Sequence, residues 1–150
     1  MTEQEMRDIM YQEGRRQALD LQERAPGLTG TEIIAEERAV PAFNPNKNYT
    51  SWPAGAPVAD EGQVWILIIP HNAAHYTGRP STLRALWGLA HTTDPAKAKP
   101  WVASYGTSGL YMLNEVCLWT DGYVYRNLYD NNEYPPLTQG AEERWERVEV

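Results

Sequence analysis

Apolar residues near the start of the chain recur at helical spacing: Met6, Ile9, Met10, Ala18 and Leu21. Thr2 followed by Glu5 has capping-box spacing, in which hydroxyl and carboxylate each satisfy an orphan backbone donor. Gly14 weakens the middle of this segment. Pro26 disfavours helical geometry at Ala25 and Gly27 follows, so the helix should stop near Arg24. Thr29 and Glu32 offer a second capping box for a short helix to about Arg38, closed by Pro41. A helix so sparsely apolar must dock on something, either the rest of the chain or copies of itself.

Beyond residue 40 the period changes. Val64-Trp65-Ile66-Leu67-Ile68-Ile69, between Gly62 and Pro70, predicts a strand buried on both faces. Residues 80–90 fit either a short helix or a folded turn. Thr92 to Pro100 is polar with two prolines and reads as a linker. Two strand-like runs, Glu115 to Trp119 and Tyr123 to Tyr129, flank Thr120-Asp121-Gly122, a strong hairpin signal.

Composition sharpens this division. Residues 1–40 carry nine acids, five bases and one aromatic, Tyr11, whereas the other fifteen aromatics follow residue 40. Nine are Tyr, six are Trp and only Phe43 is Phe across the 150 residues, a bias toward rings with a polar handle. A net charge of -7 argues against a nucleic-acid binder. The single Cys117 excludes an internal disulfide framework and a cysteine-rich zinc site. No apolar run approaches the roughly 18 residues of a membrane helix, and the acidic start is unlike a secretory signal. A soluble protein made in a cytoplasm, with no membrane partner, is the expectation.

A weak internal repeat is visible. Shifting by 60 aligns Gly62-Gln63-Val64-Trp65 with Gly122-Tyr123-Val124-Tyr125, and His71-Asn72 with Asn131-Asn132. A shift of 58 pairs Val58 with Val116 and Trp87 with Trp145. Duplicated modules and a chance likeness of two hairpins both fit so few identities.

Tyr111 to Val116, then Trp119-Thr120-Asp121-Gly122-Tyr123-Val124-Tyr125-Arg126, Pro135-Pro136 and Trp145-Glu146-Arg147-Val148, resemble the chitin-binding-like carbohydrate-binding modules of types 5 and 12. The family pattern runs Tyr-x-x-Gly-Asp-x-Val, Gly-x-x-Tyr, a polar and aromatic loop, Pro, and Trp-x-x-Val. Asn114-Glu115 departs from its Gly-Asp. Residues 49–91 look like a more divergent copy. The resemblance implies a phage or prophage virion- or tail-associated protein, since such modules occur there behind helical segments.

The resulting expectation is a mainly β chain with a helical N-terminal segment and two small three-stranded-sheet modules packed together. Its boundaries are 1–40 (helical docking or oligomerisation segment), 41–94 and 95–150. A module of about 45 residues buries too little to stand alone, so Trp65, Tyr125, Trp87 and Trp145 are expected in the core.

Sugar binding needs exposed rings flanked by amides or carboxylates. Trp119, Tyr129, Asn131, Asn132 and Tyr134 are the glycan-binding candidates, and the competing reading has these tyrosines merely capping sheet edges. Tyr123 shares a face with Tyr125 and is expected to be partly buried. Trp119, beside the turn, is expected to be the better exposed ring. His71 and His75 would converge on a metal only if helical, and no glutamate stands between them, so two solvated loop histidines are expected. Cys117 in a strand reads as an inert thiol. With no catalytic motif, no metal and no cofactor implied, the expected function is non-enzymatic: recognition of a glycan or cell-surface polysaccharide within a virion. The alternative is a structural assembly protein whose modules no longer bind sugar. Expected partners are other virion proteins and further copies through the N-terminal helix.

Overall fold

A computed structural model describes residues 1–150. Helix α1 spans Glu3–Arg24 and α2 spans Gly30–Ala35. Both start at the expected capping boxes, Thr2 with Glu5 and Thr29 with Glu32. Two separate three-stranded antiparallel sheets follow. The first contains β1 (Pro57–Asp60), β2 (Gln63–Leu67) and β3 (Trp87–Leu89), and the second β4 (Val116–Leu118), β5 (Val124–Asn127) and β6 (Trp145–Val148). Each middle strand is central, in the order β1-β2-β3 and β4-β5-β6.

The expectation of a mainly β chain is corrected: about 21% is strand and 29% helix. The physical reason is plain. Each strand has only three to five residues, whereas α1 alone has 22. Residues 80–86 form a folded turn rather than a helix, with Leu83 and Trp87 amides bonded back to Arg79 and Leu83 carbonyls, and β3 begins at Trp87.

The two sheets are built alike. In β2 and β3, Leu67 stands opposite Trp87; in β5 and β6, Asn127 stands opposite Trp145. Gly55 N donates to Leu67 O at 2.7 Å, as Asn114 N does to Asn127 O at 2.8 Å. Ile68 N donates to Leu86 O, and Leu128 N to Arg144 O, both at 2.8 Å. Phe43 N meets Ala59 O just as Trp101 N meets Leu118 O. Even the short 3-10 turn Glu37–Ala39 has a counterpart in Pro95–Lys97. Asn114, at φ 73°, takes the left-handed conformation that Gly55 adopts at φ 101°, a conformation asparagine tolerates better than most residues.

The pairing register also corrects the sequence alignment. Val58 faces Trp65, and Cys117 faces Tyr125, so Val58 corresponds to Cys117 rather than Val116. The first hairpin turns through Glu61 and Gly62, both at positive φ, while the second needs three residues, Thr120 to Gly122. That extra residue moves the spacing from 59 to 60 across the turn.

Each sheet packs one face on its own aromatic core. Phe43, Tyr49, Val58, Trp65, Leu67 and Trp87 form one cluster, and Tyr111, Cys117, Tyr125 and Trp145 the other. Tyr49 meets Trp87 edge-on at 5.4 Å, and Tyr111 meets Trp145 edge-on at 5.1 Å. All four rings expected in the core are buried. The opposite face of the first sheet, at Val64 and Ala90, shares a third cluster with Leu21, Ala25, Ile33, Ile34 and Val40 from the helical segment.

The two units touch through loop 103–109. Arg84 Nη1 donates to Ala103 O at 3.0 Å, and His91 Nε2 lies 2.9 Å from Gly109 O. His91 also stacks on Tyr111 with ring centroids 3.7 Å apart. Gln63 Nε2 adds a bond to Pro100 O at 2.8 Å.

Candidate functional site

The polar and aromatic loop after β5 is held from beneath by two asparagines with no exposed surface, Asn127 and Asn132. Asn127 occupies an inward position of β5, in phase with Tyr125. Its amide group donates to the carbonyls of Tyr111 (3.0 Å), Met112 (2.8 Å) and Tyr129. Its oxygen accepts from Asn132 Nδ2 at 2.8 Å and Tyr129 N at 3.2 Å. Asn132 then accepts from Tyr134 N at 3.0 Å. Such a buried network specifies one loop geometry, because the two side chains have no water to replace their protein partners.

Above this base the rings of Tyr129 and Tyr134 remain 42% and 39% exposed. The guanidinium of Arg144 lies over both, 4.8 Å and 5.1 Å from their centroids. Tyr134 is anchored a second way, since its carbonyl accepts from Trp145 Nε1 at 2.7 Å. Asp130 turns back to accept from Leu113 N at 2.9 Å. Asn131, at φ 55°, and Glu133 are exposed at the rim. The result is a small platform of two rings and a cation, bordered by carboxylates and an amide. It can stack on the apolar face of a ring-shaped ligand and hydrogen-bond its hydroxyls.

Of the five sequence candidates, Tyr129, Asn131 and Tyr134 come together here. Asn132 is corrected: it lies beneath the surface and holds the loop, so it touches no ligand. Trp119 is also separated from the group. It belongs to the hairpin at the other end of β5, with the four-residue strand, about 13 Å of chain, between them. There it meets Trp101 edge-on at 5.9 Å beside a groove of about 250 Å³. Nor is Trp119 the better exposed ring: it is half-buried, whereas Tyr123 is 45% exposed with Arg147 over its face. The widened hairpin turns Tyr123 out of the alternation that buries Tyr125.

Arg144 and Asn127 were missed as participants. Asn127 had a signal, a polar residue at an inward position of a strand. Arg144 had none, because its partners are ten or more residues away in sequence. In the first unit the corresponding positions are Ile69 for Tyr129, Leu67 for Asn127 and Leu86 for Arg144, so the platform exists only in the second.

Groups with chemical potential elsewhere are buried or scattered. Burial pushes the Cys117 thiol up to about 12. His71 is buried, with Nδ1 2.7 Å from Ile69 O, while His75 is exposed at the end of a 3-10 turn. The histidines therefore do not share the helix face that metal binding required, and His71 is not solvated as the sequence suggested. No group of three or more His, Cys, Asp or Glu side chains is placed to hold a metal ion. The Tyr125 hydroxyl donates to Asp121 at 2.7 Å, which holds that carboxyl below the usual range. Compared with known proteins, the chain matches no family model and no curated sequence.

Proposed function

We propose that this chain is a non-enzymatic binding protein whose second unit recognises a glycan through Tyr129, Arg144 and Tyr134. The carrying observation is the exposed pair of rings bridged by Arg144 over a fully satisfied Asn127–Asn132 base. Preorganisation of this kind reduces the ordering cost of binding a flexible polysaccharide. The resemblance to carbohydrate-binding modules supports the same ligand class, and it alone supports a virion or tail setting in a phage or prophage. Flanking genes for tail or head proteins would bear on that setting.

The binding test is retention on insoluble chitin and on a panel of immobilised bacterial polysaccharides. Tyr129→Ala and Tyr134→Ala should each weaken retention roughly tenfold, with the unfolding midpoint nearly unchanged. Retention that is absent in the parent protein, or indifferent to both changes, would remove the glycan reading.

A second reading, structural assembly, is favoured by a different observation. Every residue from Met1 to Gln17 is exposed, including Met6, Ile9, Met10 and Tyr11. An apolar-studded helix so little covered by its own chain suits attachment to partner subunits. The two roles are compatible in one chain, with the helix attaching and the second unit binding.

A further inference from the structure

A cleft of about 710 Å³ between α1 and the first unit is lined by three cations and no acid. Tyr11, Gly14 and Arg15 contribute from α1, and Arg38, Lys47 and Trp52 from the chain beyond it. The chain as a whole has 20 acids against 13 bases, so a lining without one carboxylate stands out. Arg15, Arg38 and Lys47 are all exposed, and none of them forms an ion pair. The contrast within α1 is sharpest at Arg15. Arg7, Arg16 and Arg24 each meet an acid three or four residues earlier, Glu3, Glu13 and Asp20. Around Arg15 those neighbouring positions hold Tyr11, Gln12, Ala18 and Leu19.

We infer that this cleft binds a small polyanion carrying a flat ring, of the nucleoside diphosphate class, with its phosphates on the three cations and its ring against Tyr11 and Trp52. Both sides of the cleft present a ring beside a cation. Tyr11 and Arg15 are one helical turn apart on the same face of α1, and Lys47 Nζ lies 5.6 Å from the centroid of the Trp52 ring. Trp52 is half-buried and meets Tyr49 edge-on at 4.7 Å, so the aromatic core fixes its position. Gly14 weakens α1 yet keeps its side of the cleft open, since nothing lies within 4 Å of where a Cβ would stand. Guanidinium and ammonium groups match phosphate oxygens, and aromatic faces match a planar base. The volume falls within the roughly 300–1,000 Å³ of small-molecule sites. The net charge of -7 decides the ligand's size. A long polyanion would run out of the cleft onto acidic surface. A ligand held inside it meets the three cations, while acids beyond about 8 Å are screened at physiological salt. The inference needs neither the glycan platform nor the assembly reading.

Isothermal titration calorimetry of the full chain with ADP, pyrophosphate and adenosine tests this, because each of the last two carries only one half of the recognised chemistry. ADP should bind at least roughly tenfold more tightly than either. Arg38→Gln combined with Lys47→Gln should weaken ADP by roughly tenfold or more. Arg7→Gln with Arg16→Gln removes the same charge from outside the cleft, where both arginines already have acid partners, and should bind ADP like the parent. Gly14→Leu fills the cleft without altering charge and should also weaken ADP roughly tenfold. Its unfolding midpoint should not fall, because leucine is the better helix former, so lost binding there is not lost folding. Four results would overturn the inference. They are no ADP binding at roughly millimolar concentration, pyrophosphate or adenosine bound as tightly as ADP, parental affinity in the Arg38/Lys47 or Gly14 variants, or equal loss in the Arg7/Arg16 control. The last would reduce the effect to general charge attraction.

Discussion

Acidification should weaken the fold through His91, the residue clasped between the two units. Its side chain is 9% exposed, stacked on Tyr111 and bonded through Nε2 to Gly109 O. Donation to the carbonyl requires a proton on Nε2, and burial keeps the second nitrogen unprotonated. Burial disfavours the imidazolium and nearby Arg84 disfavours it further, so the value falls from 6.5 to about 4. Above pH 6.5 the ring is neutral in both folded and unfolded chains and contributes no pH dependence. Below 6.5 the unfolded chain takes up a proton that the fold refuses, so stability is lost as pH falls, and the loss levels off below about 4. The cost is about 1.4 kcal/mol per pH unit over that window, in total about 3 kcal/mol. Other groups titrate in the same range. Glu115, raised by burial, acts in the opposite direction, and Glu36, lowered by Arg24, acts in the same one. Comparison with His91→Gln cancels these contributions, because glutamine retains a donor but cannot titrate. Urea unfolding followed by Trp fluorescence at pH 7, 6, 5 and 4 should show the parent losing its advantage over the variant as pH falls. A stability difference independent of pH would refute the assignment of a buried neutral imidazole.

The internal likeness supplies controls for other substitutions. Trp145→Phe should cost more than Trp87→Phe by about 1 kcal/mol, because Trp145 Nε1 donates to Tyr134 O whereas Trp87 Nε1 is buried without a partner; equal losses in urea unfolding would contradict this. Asn127→Leu installs the residue found at the matching site of the first unit, yet it leaves the Tyr129 carbonyl, the Tyr129 amide and the buried Asn132 Nδ2 without their partner and should destabilise by roughly 2–4 kcal/mol. It should also weaken polysaccharide retention by loosening the Tyr129–Tyr134 loop, and a stable variant with parental retention would discount the network. Gly30→Ala should be costlier than Gly14→Ala, since a Cβ at Gly30 would stand 2.3 Å from His91 O and one at Gly14 meets nothing within 4 Å. Thermal unfolding of the two variants decides it.

Local signals were legible wherever the chemistry is local. Capping boxes at Thr2 and Thr29, the stop before Pro26 and the Asp121-Gly122 hairpin each depend on residues a few positions apart, and each formed where expected. The repeat was only partly legible because the two copies change length inside. The Val102 amide reaches Tyr111 Oη across nine residues, while the matching bond from Asn44 to Tyr49 crosses five. No single shift can align both that loop and the hairpins, so Tyr49 went unmatched with Tyr111 although both rings sit against the closing Trp. The platform was half legible for a related reason. Aromatic and amide residues in one loop are conspicuous, but burial of Asn132 and the arrival of Arg144 depend on how the chain folds back through Pro135 to β6.

The same comparison explains why the surfaces, not the cores, carry the differences between the units. Both cores need a Tyr on the closing Trp and a small or branched residue opposite the central ring, and Val58 and Cys117 meet that need equally. Outside that requirement the copies diverge in consistent directions. Ile69 and Leu86 in the first unit stand where the second has Tyr129 and Arg144, and Ile66 and Gly88 stand where it has Arg126 and Glu146, 3.7 Å apart. The first unit keeps an apolar outer face because the helices cover it. The second exchanges half of that face for charge and leaves Val124 and Val148 half-buried. The division of charged and apolar positions on the two sheets therefore follows what the helical segment covers and what it leaves to solvent.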